Sequence, residues 1–194
     1  MPFVYSKRYT AEFGDHIFPV EKYEQVYQAL LTKGIPLDCF FEPEAATKED
    51  LMRVHTAAYL DDLENLRWTQ RTMYSELPLT REIVELFKLA AGGTCLAVDL
   101  ARQQRWAVHI GGGFHHAFPA KAEGFCYIND LAVAAFRFLS RKYGHRVLII
   151  DLDLHQGNGT ARIFQGHREV FTFSMHQEDI YPVKEQSDLD IPLP

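Results

Sequence analysis

Cysteine is scarce: Cys39, Cys95 and Cys126 are the only three in 194 residues, and no C-x-x-C occurs. So small and scattered a set excludes a disulfide framework and offers no cysteine zinc site; it fits a reduced, cytoplasmic protein. Long apolar runs are also lacking. No stretch reaches the ~18 residues of a membrane span, and the opening MPFVYSKRYTAEFGDH has no signal-peptide core. A basic block is missing too. Lys+Arg number 20 against 26 Asp+Glu, a formal net charge of −6, so no direct nucleic-acid partner and no membrane partner are expected. With no repeat, low-complexity tract or Ser/Gly linker, residues 1–194 read as a single domain. What the chain does have is 47% apolar residues, ordinary for a folded protein, and nine histidines, which is not ordinary.

Local patterns give an element order. Residues 22–31 have helical spacing and run into the stop signals Gly34 and Pro36. Thr47-x-x-Asp50 resembles a capping box, and a further helix is expected from about Thr56 to Trp68. Thr80 caps a helix over 81–91, with Gly92-Gly93 expected to break it before Leu100. Trp106–Ile110 is a short apolar run ending in Gly111-Gly112-Gly113. Asn129 caps a helix over 130–143, closed by Gly144. Val147–Ile150 is a continuous aliphatic run, read as a strand buried on both faces. A short helix over 159–165 and a strand over Val170–Met175 follow. This alternation predicts the α/β class, with an open parallel sheet flanked by helices.

Ligands of such sheets bind beyond the carboxyl ends of the strands. Three predicted strands deliver polar residues there: HIGGGFHH (109–116), DLDLHQGNG (151–159) and SMHQED (174–179). Asp151, Asp153 and His155 lie at i, i+2 and i+4, so extended chain would put all three on one side while Leu152 and Leu154 pack inward. Two carboxylates and an imidazole crowded together are costly unless a cation lies among them, and this donor set suits Zn²⁺ or a neighbouring transition metal. The alternative is a strand-end turn with a satisfied aspartate and a surface histidine. His115 and His116 are candidate ligands or acid/base groups. The glycines before them match neither nucleotide-binding fingerprint. Tyr127, Asn129 and Asp130 read as core and cap, and His16, His109, His145 and His167 as structural or surface residues.

Taken together, GGGFHHA (111–117), GFCYIND (124–130) and DLDLHQGNG (151–159) resemble the zinc-dependent histone deacetylase family, including its acetoin-utilisation and acetylpolyamine-deacetylase-like members. Weaker echoes occur at His16-x-x-Pro19-x-x-Lys22-Tyr23, His55-Thr56-x-x-Tyr59-Leu60 and Ser174-Met175-His176. Asn158 and the HIFPVEKY segment look most like the class IV and bacterial branches. The resemblance implies an arginase/deacetylase-like fold and hydrolysis of an acyl-lysine-type amide, on a protein or on an acetylated polyamine or other small amine. It implies one Zn²⁺ held by Asp153 and His155, with His115 and His116 as tandem catalytic histidines. Asp151 would hold the first of these and Asn158 the second. Gly124, Phe125 and Cys126 would line the acyl-lysine tunnel and acetyl pocket. Asp151, Asp153, His155, Ser174 and Met175 would make a structural monovalent-cation site of the K⁺ type.

Two departures qualify that expectation. Asn158 stands where many family members have an aspartate; an amide orients His116 without supplying charge, so His116 should stay neutral while Asp151 favours charged His115. The family's third zinc-ligand aspartate and oxyanion tyrosine are not found, so the chain is expected to be the N-terminal part of a longer deacetylase, weak or inactive alone. Asp179 and Asp188 are substitutes without a spacing argument. Two other readings stay open: an arginase-like ureohydrolase, which would want a side chain where Gly157 stands, and an acyl-lysine-binding protein without turnover.

Overall fold

The structure, a computed structural model, describes residues 1–194. Four helices begin where a polar side chain can replace a missing backbone partner. The side chains of Thr47, Thr56, Thr80 and Asn129 accept from the N–H groups of Asp50, Tyr59, Ile83 and Ala132, opening α2 (Lys48–Met52), α3 (Ala57–Glu64), α4 (Arg81–Gln104) and α5 (Asp130–Ser140). Before them lie β1 (Phe3–Val4), α1 (Lys22–Thr32) and β2 (Phe40–Phe41); β3 is only Val108–His109. Helix α3 ends well short of Trp68, because Leu66 takes a left-handed φ of +52°.

The expected break at Gly92-Gly93 does not occur, and α4 runs through both glycines. A side chain at Gly92 would overlap the Glu44 carbonyl, and one at Gly93 would overlap the His109 ring and the Tyr9 hydroxyl. Each glycine costs about 1 kcal/mol in a helix interior relative to Ala. Here that loss allows the chain to approach α4 closely from two sides.

Strands β4 (Val147–Asp151), β5 (Val170–Gln177) and β6 (Leu189–Leu193) form one parallel sheet in the order β4-β5-β6, with α6 (Asn158–Phe164) packed on β5. A second parallel sheet has the order β2-β1-β3. The expected α/β class with parallel sheets flanked by helices is observed, the hydrogen-bonded ladders forming two three-stranded sets.

Strand β4 is not buried on both faces. Ile149 is 8% exposed and belongs to the core, whereas Leu148 and Ile150 are 58% and 60% exposed. Their ladder partners are Leu148↔Phe171 and Ile150↔Phe173, so one apolar face of this sheet lies open to solvent. A core of 35 buried residues joins α4, α5, the loops between them and the N-terminal aromatics, among them Tyr5 stacked on Tyr27. No helix is long and apolar enough to cross a membrane.

Candidate active site

The tandem histidines are held from behind. Asp130, the first residue of α5, accepts from the Gly113 N–H at 3.0 Å and the Phe114 N–H at 2.7 Å. The Thr94 hydroxyl donates to the same carboxylate at 2.5 Å and lies 3.0 Å from His109 Nδ1, while His109 Nε2 meets the Tyr9 hydroxyl at 2.7 Å. Burial pushes His109 down to about 4 despite the Asp130 charge, so the ring stays neutral. His109 is structural, as the sequence indicated. Asp130 does more than continue a helix: it anchors the loop that presents His115 and His116. A carboxylate directly after an N-cap asparagine, where helix N–H groups attract anions, was the available signal.

His115 Nδ1 lies 2.5 Å from Asp151 Oδ2, and His116 Nδ1 lies 2.7 Å from Asn158 Oδ1. Burial works against charge on His115, yet the hydrogen bond and charge of Asp151 outweigh it and raise its pKa. In Asp151 burial pushes upward, but His115 holds the carboxyl below its usual range. Burial, and next the neighbouring His115 charge, push His116 down to about 4.

The segment after β4 departs from the extended geometry expected of it. The chain bends as Asp151 Oδ1 accepts from the Asp153 N–H at 3.0 Å and Asp153 Oδ1 from the His155 N–H at 2.8 Å. Leu152 and Leu154, expected inward, are 68% and 58% exposed, because the bends turn them away from the core. Asp153 and His155 nevertheless converge, with His155 Nδ1 3.3 Å from Asp153 Oδ1. A tetrahedral ion with bonds of about 2.0–2.1 Å places its donors about 3.3 Å apart, so this pair fits two corners of a zinc site. No group of three or more His, Cys, Asp or Glu side chains converges on an ion position. Neither Asp188, whose Oδ2 accepts from the Thr172 N–H and hydroxyl at 2.8 and 3.0 Å, nor the exposed Asp179 joins Asp153 and His155 in such a group. Ser174 is the ladder partner of Asp151 and Asp190, beside Met175, and its hydroxyl lies 2.9 Å from His176 Nδ1.

Gly124, Phe125 and Cys126 form the facing wall. Gly124 and Phe125 both take left-handed φ, +52° and +62°. That conformation is strained for phenylalanine. Backbone bonds from Gly124 N to Tyr74 O (3.1 Å) and Phe125 N to Ser75 O (2.9 Å) hold it in place. A Cβ at Gly124 would come within 2.6 Å of the His116 ring and of the Tyr181 hydroxyl. The Cys126 thiol donates to the Gly124 carbonyl at 3.2 Å, and burial raises its pKa. Tyr181 was not singled out from the sequence, yet its ring lies 5.4 Å from His116 and 5.9 Å from His155. The His16 ring meets Phe125 edge-on at 4.8 Å, so His16 packs against this segment. Neither aromatic sits in a metal-ligand pattern; an aromatic soon after a polar strand end was the only hint for Tyr181.

The histone deacetylase domain family matches residues 16–190. The chain is 38% identical over 202 residues to an uncharacterised protein of Picosynechococcus, covering 100% of this chain and 66% of that one. It is 33% identical to histone deacetylase 2 of Arabidopsis thaliana, covering 92% of this chain and 49% of that protein. It is 32% identical to the acetoin utilization protein AcuC of Bacillus subtilis, covering 92% and 50%. A crystal structure of a histone deacetylase homologue complexed with SAHA superposes with a TM-score of 0.83 at 27% identity, over 100% of this chain and 59% of that one. One from Aquifex aeolicus gives 0.80 at 26%, over 100% and 58%. The chain thus spans between about half and two thirds of the length of these relatives. It belongs to the histone deacetylase family and has the fold of its solved homologues.

Proposed function

We propose that this protein, in its intact form, hydrolyses an acyl-lysine-type amide with one Zn²⁺ held by Asp153 and His155. The carrying observation is the juxtaposition of a neutral, oriented imidazole, His116, with a carboxylate–imidazole pair whose 3.3 Å separation suits zinc. A zinc ion bound there supplies a Lewis acid for the amide carbonyl and acidifies a water molecule. His116 Nδ1 faces the Asn158 carbonyl oxygen, so this nitrogen donates and Nε2 is left to accept the proton of the attacking water. The C–N bond breaks as the leaving amine takes a proton, yielding a carboxylate and a free amine. His115, kept readily protonated by Asp151, supplies positive charge beside the forming oxyanion. Phe125 and Tyr181, the latter 5.4 Å from His116, are assigned to the apolar stem, and Cys126, whose thiol donates to the Gly124 carbonyl, to the acyl end. Ser174 and Met175, with Asp151, Asp153 and His155, are assigned to a K⁺-type structural ion. The free thiols of Cys39, Cys95 and Cys126 accord with a cytoplasmic location.

The test combines elemental analysis of zinc with turnover of an acetyl-lysine peptide and an acetylpolyamine by the intact enzyme. Asp153→Ala and His155→Ala should each lower zinc content and abolish turnover. Full zinc in both variants overturns the ligand assignment. A zinc-loaded wild type that turns over neither substrate would instead favour an acyl-lysine-binding protein without catalysis.

A further inference from the structure

Asn158 is oriented by a residue that neither the tandem histidines nor the metal pair involves. Its amide is bonded on both sides. Oδ1 faces His116 Nδ1 at 2.7 Å and accepts from the Gly159 N–H at 2.9 Å. Nδ2 donates to Glu123 Oε1 at 2.7 Å. Glu123 in turn is ion-paired with Lys121, and its backbone is fixed by paired bonds with Cys126, N to O at 3.2 Å and O to N at 2.9 Å. An asparagine side chain can flip end for end, and flipping would give His116 a donor where it now has an acceptor. An ionised carboxylate accepts and never donates. With the Gly159 N–H on Oδ1 and the Val183 carbonyl a longer 3.4 Å from Nδ2, it is the strongest of the groups that fix the Nδ2 end toward Glu123 and the Oδ1 end toward the ring. The imidazole must then carry its proton on Nδ1, leaving Nε2 as the accepting nitrogen.

We infer that Glu123 is a positioning residue that sets the tautomer of His116 through the Asn158 amide. This rests on the proposed role of His116 as base. Where a carboxylate next to the imidazole would fix the tautomer and add charge together, this chain separates the two tasks. Asn158 transmits the orientation, and the carboxylate sits one residue further out, neutralised by Lys121. Glu123 also opens the loop carrying Gly124, Phe125 and Cys126, so the base and the acyl wall share one anchor.

Two readouts test this on Glu123→Ala and Glu123→Gln. On the intact protein in its metal-free form at pH 7, ¹⁵N spectra of the His116 imidazole should show the Nδ1–H tautomer in wild type and in Glu123→Gln, whose amide oxygen still accepts from Asn158. Glu123→Ala should shift the signals toward a tautomer mixture. In the intact enzyme Glu123→Ala should lower kcat about tenfold with KM within about twofold, the usual scale for losing such a supporting partner, while Glu123→Gln stays near wild type. Glu123→Ser takes the place of Glu123→Ala if the latter does not fold. Unchanged ¹⁵N signals in the Ala or Ser variant overturn the inference, as does a Gln variant that behaves like them. A wild type that hydrolyses no amide, while the spectra respond as expected, would overturn the deacetylase reading and leave the positioning role standing.

Discussion

His115 and His116 are successive residues on one loop, with rings 4.1 Å apart and residual exposures of 7% and 5%. Burial is nearly equal and opposes charge on both, yet their proton affinities diverge, raised for His115 and lowered to about 4 for His116. The difference lies in the groups behind them. Asp151 brings a full negative charge to one ring, whereas Asn158 brings only a dipole to the other. A carboxylate can overcome desolvation and an amide cannot. The charge on His115 then lowers its neighbour further. One difference in the supporting layer thus drives the proton affinities of two identical side chains in opposite directions.

The largest effect should come from removing the neutral ring. His116→Ala is expected to lower kcat by ~10²–10⁴-fold, the range for one well-placed acid/base group, while zinc content stays at the wild-type value. His115→Ala should lose less in the attack step. Steady-state kinetics with elemental analysis decide the matter. A His116→Ala enzyme keeping more than about a third of the rate, or His115→Ala proving the more damaging, would erase the proposed division of labour.

The partners of the two rings, Asp151 behind His115 and Asn158 behind His116, were anticipated through the family resemblance, and both hydrogen bonds are present. The helix starts were legible from the residues themselves, since Thr47, Thr56, Thr80 and Asn129 are local capping signals. What failed depended on tertiary neighbours. Gly92-Gly93 signalled a break locally, but the approach of Glu44, Tyr9 and His109 keeps them inside α4. The aliphatic run Val147–Ile150 shows that a strand is apolar on both faces, not that both faces are covered. DLDLH was read with strand periodicity, and side-chain-to-backbone bonds at Asp151 and Asp153 bend the chain instead. Tyr181 reaches the site from a loop whose course no short motif encodes, while Glu123 stands one residue before GFCYIND, and nothing in that motif shows that its carboxylate meets Asn158.

An intermediate effect is expected from making the two histidines alike. Asn158→Asp places a carboxylate behind His116 and should raise its pKa by about 1–3 units. The acid limb of the kcat/KM profile should move to higher pH with it. Because Glu123 would then face another carboxylate, the variant is best built with Glu123→Gln, whose amide can donate to the carboxylate introduced at that position. An acid limb that stays in place would mean that the limb does not report His116.

The smallest effect concerns stability, and here the histidines pull in opposite directions. His116 has an ordinary value of 6.5 and a folded value of about 4, so between those limits the unfolded chain binds the extra proton. Its contribution is therefore present above about pH 6.5 and is lost as pH falls toward 4. His55 and His109, also pushed down to about 4 by burial, behave the same way. His115 is raised, so its contribution is present below its unfolded value and is lost as pH rises through the folded one. Asp151, held low, contributes above its unfolded value and loses this as pH falls through its folded one. Removing the charge with Asp151→Asn leaves burial as the dominant influence on His115, which should then join the neutral histidines. The metal-free variant should lose stability on acidification more steeply than wild type between pH 6.5 and 4, by at most about 1.4 kcal/mol per pH unit for the one added proton. Its alkaline flank should flatten, because the raised His115 no longer contributes there. Thermal melts of both proteins in chelator from pH 4 to 8 provide the comparison. Parallel curves across the acid range would mean that Asp151 does not set the charge of His115, and the contrast between the two histidines would need another cause.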